Sequence, residues 1–512
     1  MLPYPVIDLF AGPGGLGEGF ATASGCKHHN ANRFFIAASF EKDAWAYKTL
    51  HLRHFFRHFP LGEAPEAYYH YLDGTIESAE LFASHPTASR HANESVFHLT
   101  LGPKNHARVR EIIDNRLSNA PLWVLVGGPP CQAYSLAGRS RMQNMPEFEQ
   151  DERHFLYKEY LRVIAEHGPP IFVMENVKGL LSAKHNGESI LQMISEDLRN
   201  PCRALGVLQN DLPRYELHGL YCPQALFGSA QSSDFVVKSE QHGVPQTRHR
   251  VFIIGIRTDL GIEPPQLTTE ESPTVEETIG RLPRIRSGIT GEPDTLEAWT
   301  KTIASLEKVD FENHLHTEAI RGEVTSIFKF VPDELQRRDN FYPAGSVDKG
   351  GAIAFMHDSR VRTLTGHESR AHMPSDLQRY AFATAFARVT GRSPRLHDFP
   401  SALLPAHRDV VNGSVGKNFV DRFRVQLPDR FASTITAHMA KDGHYYIHYD
   451  IAQCRSLTVR EAARLQTFPD NYKFEGPRTE QYRQVGNAVP PYLARQIRDV
   501  VADALDSVRR EL

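Results

Sequence analysis

One cysteine in the chain stands in a setting suited to a directed thiol. Cys131 lies inside Gly127-Gly-Pro-Pro-Cys-Gln-Ala-Tyr-Ser135, directly after the apolar run Leu122-Trp-Val-Leu-Val126. An apolar run bounded by breakers reads as a buried strand ending in a rigid turn. The prolines fix the backbone beside the thiol and limit where it can point. Held so, its thiolate would be a nucleophile; a packed structural cysteine is the alternative that this residue alone leaves open. Two further runs end in the same manner. Pro5-Val-Ile-Asp-Leu-Phe10 leads into Ala11-Gly-Pro-Gly-Gly-Leu-Gly17, and Ile171-Phe-Val-Met174 leads into Glu175-Asn176-Val177. A glycine-rich turn, a cysteine and a glutamate at the ends of three such runs are the makings of an active site.

The elements that must position these groups follow from the spacing between them. Stretches with helical periodicity, such as Asp151 to Ile164, separate the apolar runs. Strands alternating with helices predict an α/β fold with a mostly parallel sheet. Ligands bind such sheets outside the carboxyl ends of the strands, so the turn, Cys131 and Glu175 should share one rim. From Gly261 the alternation stops and the chain becomes rich in Pro, Thr and Glu, then irregular as far as Cys454. Thr458-Val-Arg-Glu461 is a capping box, with Leu457 placed as a hydrophobic staple. The helix it opens presents Ala462, Leu465 and Phe468 until Pro469-Asp470 ends it. Tyr492 to Leu512 reads as a helix packing back on the first sheet.

Taken in order, these segments resemble the C5-cytosine DNA methyltransferases. Phe10-Ala-Gly-Pro-Gly-Gly15 is similar to cofactor motif I, Pro129-Pro-Cys-Gln132 to motif IV, and Glu175-Asn-Val177 to motif VI. Gln246-Thr-Arg-His-Arg250, before Val251-Phe-Ile-Ile-Gly255, resembles motif VIII. Arg460 to Gln466 with Phe468-Pro-Asp470 resembles motif IX, and Gly486-Asn-Ala-Val-Pro-Pro491 motif X. Six motifs in family order, from the first ten residues to the last thirty, cover nearly the whole chain. The resemblance implies a Rossmann-like, class I S-adenosylmethionine-dependent catalytic domain over residues 1–262. A target-recognition domain over 263–454 and a return segment with motifs IX and X over 455–512 complete the expected organisation.

The resemblance also assigns roles. Cys131 is the nucleophile that adds to C6 of cytosine, and Glu175 serves N3 and the N4 amino group. Arg250 holds O2, and Arg248 supports the cysteine loop or a phosphate. The expected cofactor is S-adenosyl-L-methionine, cradled by Phe10, Gly12, Gly14, Gly15, Leu16 and Pro129, with Asn487 and Val489 closing the pocket. A glycine turn alone would equally suit a dinucleotide, but the spacing here is not G-x-G-x-x-G. Glu41, after the run Phe34-Phe-Ile-Ala-Ala-Ser-Phe40, is placed to accept from ribose hydroxyls. Asp73, after Tyr68-Tyr-His-Tyr-Leu72, is a candidate for the adenine amine. The polar stretch Leu136 to Pro146 reads as a lid over a flipped-out base, a plain loop being the alternative.

Composition bounds the partners. Five cysteines show no C-x-x-C spacing, so neither a disulfide framework nor a metal site is expected. No apolar stretch has the ~18 residues of a membrane helix, and no leader is seen, so a reduced cytoplasmic setting is expected. A net charge of −3 and a pI of about 6.8 are not those of a generally basic DNA binder. Duplex DNA remains the expected partner if basic residues such as Arg360, Arg362, Arg422 and Arg424 line one cleft. A monomer is expected, serving self-marking beside a cognate restriction or defence protein. Two other readings compete: an RNA cytosine methyltransferase, and a catalytically dead DNA-binding relative. The absence of a Cys-Phe-Thr tripeptide speaks against the first, and intact Cys131, Glu175 and Arg250 against the second.

Overall fold

Runs of Val, Ile and Phe with no polar partner to leave outside form strands only where both faces can be covered. The computed structural model describes residues 3–22, 32–130, 156–185, 187–207, 213–220, 232–291, 293–311, 316–330, 335–342, 350–405 and 421–511. Tyr4–Leu9 (β1) is buried along its whole length. Phe34–Glu41 (β2), Val96–His98 (β3), Val124–Gly127 (β4) and Ile171–Val177 (β5) join it in parallel. Tyr215–His218 (β6), Val236–Lys238 (β7) and His249–Arg257 (β8) complete an eight-stranded sheet. Its order is β3-β2-β1-β4-β5-β8-β6, with β7 also on β8. Only the pairings of β8 are antiparallel. The expected mostly parallel α/β sheet is therefore present.

Each face carries its own core. On one, Val6, Val124 and Ile254 pack with Phe20 and with Leu493, Ile497 and Val501 of the terminal helix Pro491–Glu511. On the other, Ile7, Leu125 and Phe172 meet Ile113, Leu161 and Ile194 from three covering helices. The expected docking of the last helix on the first strands is thus observed, and Pro491 opens it at a position where a missing N–H costs nothing.

Tyr68 to Leu72 belong to the helix Glu66–Asp73, closed by Gly74 at φ 80°. Aromatics suit strands by propensity, yet Tyr68, Tyr69, Tyr71 and Leu72 here line a helix buried against Phe468 and Tyr472. The helix opened by Thr458 has its capping box but ends at Leu465, because Thr467 turns left-handed at φ 62°. Phe468 is buried beyond it. Finally, the stretch beyond residue 263 holds substantial helices, including Leu296–Ala304, Thr317–Phe330 and Pro374–Thr390. Residues 380–387 of the last are buried consecutively, so no polar face marks the helix in the sequence.

Candidate active site

The end of β1 turns abruptly. Phe10, Gly12 and Gly14 all have positive φ, and the helix Gly15–Ala21 starts directly after them. A Cβ on Gly15 would lie 2.2 Å from the Val489 carbonyl, so only glycine admits that close approach. Gly12 by contrast faces open space, where a Cβ would meet nothing within 4 Å. Its N–H donates to Glu41 Oε2 at 2.8 Å, and Asp43 N–H donates to Glu41 Oε1 at 2.7 Å. Burial pushes the Glu41 carboxyl up, and these backbone donors oppose the shift.

Beneath the turn lies a charged cluster that the motif comparison did not find. Glu18 receives Arg53 Nη2 at 2.5 Å and Arg57 Nη2 at 2.8 Å, all three side chains being nearly inaccessible. Burial pushes the Glu18 carboxyl up, but the two guanidinium groups outweigh it and hold it at about 2. Arg53 also donates to Asn471 Oδ1 at 2.9 Å, and the Tyr472 hydroxyl donates to the Pro13 carbonyl. The segment after Phe468 therefore forms the floor of the glycine turn. Asp8, on β1, is fully buried, and neither carboxylate oxygen accepts a hydrogen bond among the described residues. Burial raises its carboxyl to about 7 against the pull of Arg57.

Across β4 lies the second half of the rim. Glu175 on β5 and Arg250 on β8 are diagonal neighbours, since Glu175 pairs with Phe252 and Arg250 with Val177. Arg250 Nε stands 3.1 Å from Glu175 Oε1, both side chains being 14% exposed. Burial draws the Arg250 guanidinium down, with Glu175 opposing. A Cβ on Gly128 would sit 2.9 Å from Glu175 Oε2, so the carboxylate lies against the turn that leads through Pro129 and Pro130 to Cys131. Cys131 itself, and the stretch Leu136 to Pro146 read as a lid, lie outside the described residues.

The other expected residues separate into groups. Leu16 and Val489 are buried beside the turn, Phe10 packs on the adjoining core, and Asn487 is exposed at the end of the helix Arg478–Asn487. Arg248 does not point to solvent or a phosphate. It is fully buried and donates to the carbonyls of Ile435 at 2.7 Å and Gly486 at 3.3 Å. Asp73 is not brought to the rim; its carboxylate caps the turn after its own helix, accepting from the Thr75 N–H and hydroxyl. Arg360 is likewise occupied by Glu66 and by backbone carbonyls. Among the described residues no cluster of His, Cys, Asp or Glu could hold a metal, and no helix is long and apolar enough to cross a membrane.

The sequence profile of the C-5 cytosine-specific DNA methylases matches residues 95–201 and 233–502. The chain belongs to that family. As a DNA (cytosine-5-)-methyltransferase it is 33% identical to the type II methyltransferase M.Bpa9945I of Bacillus paralicheniformis, over 97% of this chain and 99% of that protein. The DNA (cytosine-5-)-methyltransferase M.ApeKI of Aeropyrum pernix is 26% identical over 77% of this chain and 83% of its own. A crystal structure described as a prophage-encoded DNA modification methyltransferase from E. coli superposes with a TM-score of 0.50. At 19% identity over 98% of this chain and 99% of that one, it supports the methyltransferase's fold. Family and fold together imply the use of S-adenosylmethionine.

Proposed function

We propose that the protein methylates C5 of a flipped-out cytosine within a short, specific duplex sequence, through a covalent bond between Cys131 and C6. The Glu175–Arg250 pair carries this reading, because it lies against the turn leading to Cys131 on the rim that also bears the glycine turn. C5 of cytosine is a weak nucleophile until something adds at C6. The Cys131 thiolate forms the S–C6 bond, and the C5–C6 electron pair becomes available at C5. Glu175 supports the charge that builds on the ring by hydrogen bonding at N3, and its other oxygen accepts from the N4 amino group. Arg250 holds Glu175 in place and reaches O2.

The open face at Gly12, the close approach at Gly15 and the half-buried Glu41 suit a nucleoside with a short charged tail. S-adenosylmethionine supplies an electrophilic methyl group there. Phe10, Gly12, Gly14, Gly15, Leu16, Glu41, Pro129, Asn487 and Val489 would hold it. The C5 proton passes to water, the S–C6 bond breaks, and the thiolate returns. A base stacked in a duplex is out of reach of this site, so it must be extruded at a cost of a few kcal/mol. Recognition of the surrounding sequence is assigned to residues 263–454. The similarity to type II methyltransferases supports self-marking beside a restriction or defence partner.

A duplex carrying 5-fluorocytosine at the target tests the covalent step. Fluorine cannot leave C5 as a cation, so enzyme and DNA should remain bonded through denaturing electrophoresis. Trapping should require S-adenosylmethionine and vanish in Cys131→Ser. An adduct that persists in Cys131→Ser, or no adduct from an active enzyme, overturns the mechanism.

A further inference from the structure

Gln246 and Arg248 precede Arg250 at two-residue intervals, and all three reach groups that the fold must keep in register. Gln246 is wholly buried. Its Oε1 accepts from the Ile435 N–H at 3.0 Å, and its Nε2 donates to Leu465 O at 2.8 Å and Gln466 Oε1 at 2.6 Å. Gln466, also wholly buried, passes the chain onward, donating to Val485 O at 2.7 Å and Ala488 O at 3.3 Å. Ala488 adjoins Val489, whose carbonyl stands against Gly15 in the cofactor turn. Arg248 runs in parallel, gripping Ile435 O and Gly486 O. Both backbone groups of Ile435 and the carbonyls of Val485, Gly486 and Ala488 are thus held by three buried side chains.

We propose that the Gln246–Gln466 amide pair is a positioning relay that couples the cofactor turn to the segment around Ile435, which Thr247 and Arg248 tie to the start of the strand bearing Arg250. The inference rests on the methyltransferase reading above. Both amides use both donor hydrogens and one acceptor, so neither can rotate without abandoning a buried carbonyl or N–H. A shift of residues 488–489 against Gly15 is therefore felt at Ile435. Beside it, Thr434 donates to the Thr247 carbonyl, and Gly486 is so close to Thr436 and Ala437 that a Cβ would clash at 2.2 Å. Cofactor occupancy and DNA binding should in consequence strengthen one another by the same factor.

The test compares DNA affinity with and without saturating S-adenosylhomocysteine, in the full-length protein. Wild type should show at least about fivefold tighter DNA binding with the nucleoside present. Gln246→Met and Gln466→Met, which keep volume and lose the hydrogen bonds, should each reduce that ratio below about twofold, and the double variant should reduce it no further. Gln466→Asn, which keeps the amide and draws it back by one methylene, serves if the methionine variants do not fold. Gln484→Ala is the control, because Gln484 is a buried glutamine of the same region bonded to Thr49 and Glu475 instead. It should lower thermal stability and leave the ratio intact. A wild-type ratio near one, or a ratio unchanged in both relay variants, overturns the proposal. Failure to bind either ligand would instead count against the methyltransferase reading.

Discussion

The sheet rim and the junction behind it are both polar, yet they are built on opposite rules. Rim residues come from the ends of strands, where register alone brings them together: Glu175 and Arg250 meet as diagonal neighbours of one antiparallel pair. The junction joins segments far apart in sequence, as when Gln246 bonds Leu465 across 219 residues. There the side chains bond to backbone groups and to each other until little is left unsatisfied. Arg455, for example, is bidentate to Glu461 at 2.6 and 2.7 Å and also reaches Ile285 O. Rim groups keep capacity for a substrate because junction groups have spent theirs on the fold. Changes at the rim should therefore cost activity, and changes in the junction should cost stability.

Glu175→Gln is the sharpest way to probe the rim. Single-turnover methylation should fall about 10²- to 10⁴-fold, the usual contribution of a positioned acid or base, with cofactor affinity and melting temperature nearly unchanged. A comparable loss of cofactor affinity would erase the division of labour. In the junction, Glu461→Ala strands the buried Arg455 and should cost about 3–5 kcal/mol in denaturant unfolding. The methylation rate per folded molecule should stay within a few-fold; a rate loss without a stability loss would reverse the comparison.

Asp8 belongs to the rim's strand but is buried like a junction residue, and it tests the boundary. Its carboxyl stands at about 7 in the fold against an ordinary value of 3.8, so the folded state binds the extra proton between those values. Its contribution to stability is full below about pH 4 and lost as pH rises through 7, up to about 4 kcal/mol. Asp8→Asn should abolish that slope, so the stability difference between variant and wild type should itself change with pH between about 4 and 7. Glu18, held at about 2, has the opposite sense: its contribution is present above about pH 4.5 and is lost only in strong acid. A pH-independent difference for Asp8→Asn would show that Asp8 is paired after all. Glu41→Ala should give the smallest effect, a roughly tenfold weaker cofactor affinity measured by titration, equal to about 1.4 kcal/mol. Unchanged affinity would leave Glu41 as a brace for Gly12 alone.

The rim was legible in the sequence because each strand is a short apolar run that stops at a breaker or an ionisable residue. Gly12, Gly15, Glu41 and Glu175 lie at the ends of their strands, and Arg250 lies at the start of an antiparallel one. Asp73 instead caps the turn after its own helix. The partners of Arg248 were not legible either, because nothing in its own neighbourhood points to Ile435 and Gly486, some two hundred residues later. Gln246, Gln466, Glu18 and Arg53 were missed on the same ground. The helix Pro374–Thr390 was hidden by the unbroken burial of residues 380–387, which leaves no periodicity to detect there.

The meeting of Gly15 with Val489 has a consequence for how the molecule is made. Strand β1 leaves the ribosome long before Val489, which walls its glycine turn. The Tyr4 hydroxyl likewise waits for Asp506, to which it donates at 2.7 Å. A nascent chain therefore lacks that wall until Val489 has emerged. Chains that stop short of it should be unable to mark DNA.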